Sequence, residues 1–148
     1  MAITFVGEAE ALLTEVTLPT FQVGDLAIVN AYRLASTTAP STPSGWTSIS
    51  SVGVGTDPTS TSMRVGRRIL QSGDTTTGVW TNATGVSVIV LRGHSPVDPQ
   101  GDSTSAGTVS GSSMNWGTQI FDTANGTSWD VLCGAHFSAT DVNTVALT

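Results

Sequence analysis

The stretch that decides the fold is Leu-Ala-Ile-Val-Asn-Ala-Tyr-Arg-Leu, at residues 26–34. Only Asn30 and Arg33 interrupt its apolar side chains. A short, nearly continuous apolar run is typical of a strand that is buried on both faces. Gly24-Asp25, just before the run, predicts a turn that leads into the strand. The run therefore predicts a central strand of a β-rich domain.

Outward from this run, strand-like segments alternate with turn signals along the whole chain. Further strands are predicted at residues 2–6, 46–50, 63–70, 77–81, 86–91, 114–121 and 128–138. Loops rich in Gly, Ser, Thr and Pro are predicted at residues 36–45, 53–61 and 94–113. This spacing predicts a single all-β domain over residues 1–148. We expect an antiparallel β-sandwich, jelly-roll-like, with long irregular loops.

The first 20 residues fit two kinds of structure. Residues 8–15 are good helix formers, and Ala9, Leu12, Leu13 and Val16 have helical spacing. Residues 15–18, however, alternate like a strand and stop at Pro19. We favour strand, so residues 1–20 are expected to form an N-terminal arm or edge strands.

Two predicted strands alternate clearly enough to assign faces. In residues 63–70, Met63, Val65 and Ile69 share a face with Arg67, and this face is expected to be core. Arg64, Gly66 and Arg68 share the other face, which is expected to point outward. In residues 128–138, one face carries only Trp129, Val131, Cys133, Ala135 and Phe137.

The composition of the chain limits the kinds of partner that it can bind. The chain has 24 Thr, 18 Ser and no Lys, so hydroxyl groups must form much of its surface. The net charge of −6 disfavours a nucleic-acid partner. After Arg92 there are five Asp and no Arg or Lys, which fits either pairing across a subunit contact or a dispersed, solvated surface. No apolar stretch approaches the ~20 residues of a membrane span, and no secretory signal peptide is evident at the N-terminus.

The candidates for metal binding and catalysis are few. His94, with Asp98 and Asp102, could form a one-His, two-Asp metal site, but the loop lacks the closer ligand spacing of zinc sites and any calcium-loop signature. A solvated loop is the favoured interpretation, so we expect no metal and no cofactor. His94 and His136 are the only histidines, and no Gly-x-Ser-x-Gly elbow is present, so we expect no enzyme.

The remaining polar and aromatic residues have structural interpretations. Aspartates at turn positions bend and cap the backbone, which explains Asp25, Asp57, Asp74 and Asp98. Tryptophans within predicted strands are expected to be mostly buried, although exposed ones would suit sugar stacking: Trp46, Trp80, Trp116 and Trp129. Arg64 and Arg68 fit a protein interface and a solvated strand face about equally well.

Five short motifs follow one another in the first two thirds of the chain. They are Gly24-Asp25, Pro43-Ser44-Gly45-Trp46-Thr47, Arg67-Arg68, Gly73-Asp74 and Leu91-Arg92-Gly93. The series resembles a β-rich domain that is common among structural proteins of tailed bacteriophage virions. The resemblance covers residues 24–93 well and the last third loosely, and its motifs are structural rather than catalytic.

The resemblance implies a non-enzymatic virion protein. Because the domain stands alone in this sequence, we expect a capsid decoration (cement) protein that binds the major capsid protein and stabilises the assembled lattice. It would be a homo-oligomer, with a trimer as one option, on the outer surface of the virion after synthesis in the host cytoplasm. Its expected partner-interface residues are Phe5, Arg64, Arg68 and Arg92, and no nucleic acid or membrane is expected as partner.

Two other functions fit the sequence. A tail-tip or tail-fibre protein that binds host-surface glycans would expose Trp or Tyr side chains along a shallow groove. A small hydrolase would place His94 or His136 within hydrogen-bonding reach of an acid and a hydroxyl nucleophile.

Overall fold

The computed structural model describes residues 3–56 and 59–94. These residues form five β-strands and no helix: β1 (Thr4–Ala11), β2 (Leu26–Leu34), β3 (Thr47–Val54), β4 (Thr61–Ile69) and β5 (Gly85–Arg92). They include no helix long and apolar enough to cross a membrane. The predicted loop beyond residue 94, the predicted strands at 114–121 and 128–138, and their alternating side chains lie outside the described residues.

The five strands make one antiparallel sheet in the order β1-β5-β2-β4-β3. β2 lies at the centre and hydrogen-bonds to β4 on one side and β5 on the other. Its side chains are buried on both faces near its start, as the apolar run predicts. The expectation of an all-β, antiparallel fold is therefore confirmed.

The strand predictions succeed where the pattern is strong. β2 spans the predicted residues 26–34, and β5 differs by one residue at each end from the prediction 86–91. At the N-terminus, β1 (Thr4–Ala11) is an edge strand, so residues 8–11 are strand and not helix. Residues 15–18, whose alternation favours strand, belong to the connection between β1 and β2. The prediction of a strand at 77–81 is wrong, because these residues belong to the connection between β4 and β5.

One face of the sheet, the first face, is covered by the long connections between strands. It presents small side chains, chiefly Ala27, Val29 and Ala31 on β2 and three valines on β5, Val86, Val88 and Val90. Trp80, from the β4–β5 connection, packs into this shallow surface and is fully buried. A Cβ on Gly66 of β4 would lie 2.5 Å from the ring of Trp80, so the absence of a side chain makes room for it.

This arrangement corrects the face assignment made for residues 63–70. Gly66 pairs with Val29 and therefore belongs to the covered face, together with Arg64 and Arg68. The expectation that these three residues point outward is wrong. Alternation identified which residues share a face, but it cannot reveal that a connection distant in sequence will cross that face.

The connections that cover the first face also hydrogen-bond to one another. The amide of Leu18 donates to the carbonyl of Thr75 at 2.9 Å, and the amide of Thr77 donates to the carbonyl of Val16 at 2.9 Å. The amide of Trp80 donates to the carbonyl of Thr14 at 2.8 Å. Residues 14–18 and 75–80 thus satisfy some of each other's backbone groups. Their pairing amounts to a single β-bridge, Thr17 with Thr76, and Gly78, with φ +70°, leaves the extended conformation.

The opposite face of the sheet, the second face, carries larger aliphatic side chains. Leu26, Val65, Ile89 and Leu91 are buried there, while Ile28 and its neighbours on β4 are half-buried. None of these side chains belongs to the hydrophobic cluster that the connections form on the first face. The sheet therefore has an apolar surface on each face, with small side chains on the first face and larger ones on the second.

Candidate functional site

The end of the sheet where β2 begins and β4 ends carries two turns of the same sequence pattern, Gln-x-Gly-Asp. The first turn, residues 22–25, precedes β2, and its Asp25 amide donates to the Gln22 carbonyl at 3.0 Å. Gly24 has φ +95°, which the third position of a type II turn requires and which glycine adopts without strain. The Asp25 carboxylate folds back and accepts a hydrogen bond from the backbone N–H of Gln22 at 2.8 Å.

The second turn, residues 71–74, follows β4 and repeats these contacts. The Asp74 amide donates to the Gln71 carbonyl at 3.2 Å, and the Asp74 carboxylate accepts from the Gln71 amide at 2.8 Å. Gly73 has φ +91°. The expectation that Asp25 and Asp74 bend and cap the backbone is therefore confirmed.

The two turns are joined through Leu70, which lies between β4 and the second turn. The Gly24 amide donates to the Leu70 carbonyl at 2.9 Å, and the Leu70 amide donates to the Asp25 carbonyl at 2.8 Å. Leu70 itself is fully buried. The turns are therefore held side by side at one end of the sheet, and we call them the paired turns.

Each turn aspartate also binds an arginine. Asp25 is buried and receives two bonds from Arg92, Nε to Oδ1 at 2.8 Å and Nη2 to Oδ2 at 2.7 Å. Asp74 receives one, from Arg68 Nη2 to Oδ1 at 2.7 Å. The bidentate pair joins the start of β2 to the end of β5, whereas the single bond joins the end of β4 to the turn that follows it.

The electrostatics of the first turn follow from these contacts. The hydrogen bonds from Arg92 lower the pKa of Asp25, with the Gln22 amide adding to the effect and burial opposing it. The same pair raises the pKa of Arg92. His94 continues the network, since its Nε2 lies 2.7 Å from the Gly24 carbonyl, to which a protonated Nε2 donates. The ionised groups of this site, Asp25 and Arg92, thus bind each other. Such a charge-assisted pair suits a structural role.

The Pro43 to Thr47 motif joins the same assembly. A Cβ on Gly45 would lie 3.0 Å from Nη1 of Arg68, so the backbone passes directly over the guanidinium that binds Asp74. Trp46 is buried and meets Trp80 edge-to-face, with ring centroids 5.6 Å apart. The five motifs therefore form two contact groups: Gly24-Asp25 with Arg92, and Gly73-Asp74 and Gly45 with Arg68. Leu70 joins the two groups through its backbone hydrogen bonds to Gly24 and Asp25.

The structure places the four predicted interface residues in two different settings. Arg64, Arg68 and Arg92 bind within the chain: Arg64 donates to the Pro40 carbonyl and to the Ser48 hydroxyl, and the other two bind aspartates. The Arg92 side chain remains 42% exposed. Phe5, on edge strand β1, is 44% exposed and pairs with Leu91 in register. Contact of these residues with a partner stays a prediction.

The residues predicted for other chemistry do not converge in the described part of the chain. Residues 3–56 and 59–94 contain no group of three or more His, Cys, Asp or Glu that could hold a metal ion. Trp46 and Trp80 are buried, as expected, and so cannot form a sugar-stacking platform. Asp98, Asp102, Cys133, His136 and the other two tryptophans lie outside the described residues.

An open cleft of about 490 Å³ lies at the far end of β1. Its lining includes Glu10, Glu15 and Thr76, and the Thr76 hydroxyl donates to the Glu15 carboxylate at 3.0 Å. This hydrogen bond joins the β1–β2 connection to the β4–β5 connection.

The motifs are recognisable in the sequence, but their pairing is not. The signal that could have suggested a shared role is the repeat itself, Gln-x-Gly-Asp at 22–25 and again at 71–74. Comparisons with known proteins add no relative: no family model, no curated protein and no solved structure matches this chain.

Proposed function

We propose that this chain is a non-enzymatic structural protein of a bacteriophage virion, and specifically a capsid decoration protein. It binds the major capsid protein on the outer surface of the assembled shell, after synthesis in the host cytoplasm. A protein that binds only the assembled lattice stabilises that lattice by mass action. Neither nucleic acid nor membrane is a partner in this proposal.

The observation that carries the proposal is that each of the five motifs on which the phage resemblance rests takes part in one of two contact groups, which Leu70 joins. Asp25 with Arg92, Asp74 with Arg68, and Gly45 against Arg68 use the motif residues to fasten the connections to the sheet. Motif residues that hold the fold together are what we expect in a structural protein. Catalysis would instead require some of these polar groups to face a substrate.

The sheet edges support binding to other proteins. Of the described strands, only β4 pairs with β3, so no described strand occupies the outer edge of β3. Its residues, Thr47–Val54, include no charged side chain and no proline. Natural monomers usually protect a free edge with charges, proline or a covering segment. An uncharged, hydroxyl-rich edge therefore suits contact with a neighbouring subunit, and a homotrimer would bring three such edges to one site.

The fold proposed with this function is a jelly-roll-like β-sandwich over residues 1–148. The five-stranded sheet supplies one layer. Its bulky second face favours a facing β-layer, because stacked sheets lie ~10 Å apart and large aliphatic side chains fill that space.

The direct test is the copy number of the protein in purified virions, measured by quantitative mass spectrometry. A capsid decoration protein is expected at a copy number close to that of the major capsid protein. A handful of copies per particle would contradict the proposal and would favour the alternative, a tail-tip or tail-fibre protein that binds host glycans.

A matched pair of variants tests the role of the β3 edge. Ser51 on β3 and Ser72 in the second turn are both exposed serines. Ser51→Glu adds a charge to the edge, opposite Arg64 in register, so it brings no like-charge repulsion within the sheet. We expect Ser51→Glu to reduce incorporation into virions at least tenfold and Ser72→Glu to leave it unchanged. Equal incorporation of both variants would exclude the β3 edge as the contact.

A further inference from the structure

We propose that the second face of the sheet is the docking surface for the chain's own C-terminal segment, with the predicted strand at residues 128–138 lying over β2 and β4. The inference specifies the β-sandwich proposed above and does not depend on where in a virion the protein sits. It rests on the side chains of the second face, on the path of the connections, and on the length and pattern of the remaining sequence.

The second face has the composition of a core surface. On β2 it presents four large side chains, Leu26, Ile28, Tyr32 and Leu34, with the buried Asn30 among them. The neighbouring strands add Met63, Val65, Ile69, Ile89 and Leu91, and the polar residues Arg67 and Ser87. Four of these side chains, Leu26, Val65, Ile89 and Leu91, are buried. Burying a side chain of this size contributes ~1.5–3 kcal/mol, so a folded chain gains much by covering such a surface.

The connections between the described strands pack on the first face of the sheet. Val16, Leu18, Trp46, Leu70 and Trp80 all join the cluster on the first face. Pro19 lies against Gly7, and Thr37 lies against Gly53, both at first-face positions of the edge strands. The described connections that pack on the sheet therefore pack on the first face, and the cover of the second face has to come from elsewhere.

The sequence that follows β5 has the right length and pattern to be this cover. After residue 94 there are 54 residues, enough for the two strands predicted at 114–121 and 128–138. These predicted strands are similar in length to the eight- and nine-residue strands of the sheet. The 128–138 segment alternates, and one of its faces is entirely apolar: Trp129, Val131, Cys133, Ala135 and Phe137. A strand of this kind needs an apolar surface opposite it.

The exit point of the chain agrees with this assignment. The chain leaves β5 beside Leu91, and His94 is tied to the Gly24 carbonyl. Leu91 pairs with Leu26 in register, so the segment starts at the end of the second face where two buried leucines meet.

Cys133, the only cysteine of the chain, provides the test. Two full-length variants each place a second thiol on the second face, Ile28→Cys on β2 and Met63→Cys on β4, both at half-buried positions. In register these positions lie four residues apart along β4, or ~13 Å, so a strand crossing the face brings Cys133 near at least one of them. A thiol-to-thiol cross-linker of ~10 Å spans the distance between packed sheets.

The control variant is Val79→Cys, which places a thiol on the outer side of the connections. This thiol is at least as accessible as those of the two second-face variants. Val79 is 53% exposed. We expect an intrachain cross-link to Cys133, identified by peptide mass spectrometry, in at least one of the second-face variants, at a yield at least tenfold that of the control. A cross-linked dimer would overturn the proposal in favour of a second copy as the cover. No cross-link in either second-face variant, or equal yields in all three, would also overturn it.

The reactivity of Cys133 in the unsubstituted protein gives a second test that does not depend on how any variant folds. If the C-terminal segment docks on the second face, Cys133 points into the core. Its reaction with an aromatic disulfide reagent should then be at least ~100-fold slower in native buffer than in denaturant, because labelling requires local opening that costs a few kcal/mol. Equal rates in the two conditions would contradict the docking. A virion copy number that contradicts the decoration role would leave this result unaffected.

Discussion

Asp25 and Asp74 occupy the same position in two turns of the same sequence pattern, yet they bind the rest of the molecule in different ways. Each carboxylate accepts a hydrogen bond, at 2.8 Å, from the backbone N–H of the glutamine three residues earlier. Asp25 is 3% exposed and binds an arginine 67 residues away through two hydrogen bonds. Asp74 is 14% exposed and binds an arginine six residues away through one.

The difference shows how one local motif can serve either the turn itself or the whole sheet. The second turn is a local structure, because Arg68 and Asp74 are neighbours in sequence and would remain close in a partly unfolded chain. The first turn fixes β5 against β2, and its contact forms only when the sheet is assembled. Buried, bidentate pairs also lose more when one partner is removed, because the remaining charge is left without its partner.

The largest expected effect separates the two aspartates. Asp25→Asn keeps the shape of the side chain but turns a charge-assisted pair into a mismatch with the Arg92 donors, so we expect a loss of about 2–3 kcal/mol in the free energy of unfolding. Asp74→Asn should cost about 1 kcal/mol, since it weakens a single, more exposed contact. Urea unfolding followed by tryptophan emission measures both. Equal losses would show that burial and sequence separation do not distinguish the turns.

The pH dependence of stability tests the cause of that loss. The Arg92 hydrogen bonds lower the pKa of Asp25 below the ordinary value of 3.8, so near and below that value the unfolded chain binds more protons at this position than the folded one. The stabilisation is therefore complete well above pH 4 and is lost as the pH falls through the folded-state pKa.

We therefore expect the difference in unfolding free energy between the unsubstituted protein and Asp25→Asn to be constant from about pH 6 to 8 and to shrink steadily below about pH 4. Comparing the two proteins at each pH cancels the titration of the other carboxylates. A difference that stays constant down to pH 3 would mean that the lost stability comes from the shape of the side chain rather than from its charge.

The glycines should behave alike, in contrast to the aspartates. Gly24 and Gly73 have φ near +90°, and a Cβ on either would meet no atom within 4 Å. The cost of Gly24→Ala or Gly73→Ala is therefore the backbone strain alone, about 1 kcal/mol in each case. Asparagine, which tolerates positive φ better, should cost less at both positions. A clearly larger loss at Gly24 would reveal a constraint on the first turn beyond its backbone conformation.

Sequence reasoning succeeded where a local pattern carries the information. Residues 26–34 form a strand because a continuous apolar run needs burial on both sides, and the turns at Asp25 and Asp74 follow from local side-chain-to-backbone bonds. The same reasoning placed Trp46 and Trp80 in the interior.

It failed where the decisive contact is distant in sequence. Thr77 and Trp80 bond to residues 14–18 and not to a strand of the sheet, so the pattern of residues 77–81 does not distinguish a strand from a packed connection. Gly66 lies on a covered face because Trp80 arrives there from another part of the chain. The pairing of Asp25 with Arg92 needs β2 beside β5, and no local spacing encodes that neighbourhood.

The smallest expected effect concerns the second position of each turn, where the two sequences differ. Val23 is 64% exposed and Ser72 is exposed as well, so neither side chain contributes to the packing around its aspartate. Val23→Ser and Ser72→Val should each change the free energy of unfolding by less than about 0.5 kcal/mol. Urea unfolding of the isolated protein measures this change. A loss above 1 kcal/mol for Val23→Ser alone would mean that Val23 is covered in solution, and the first turn would then contribute a contact surface as well as a clamp.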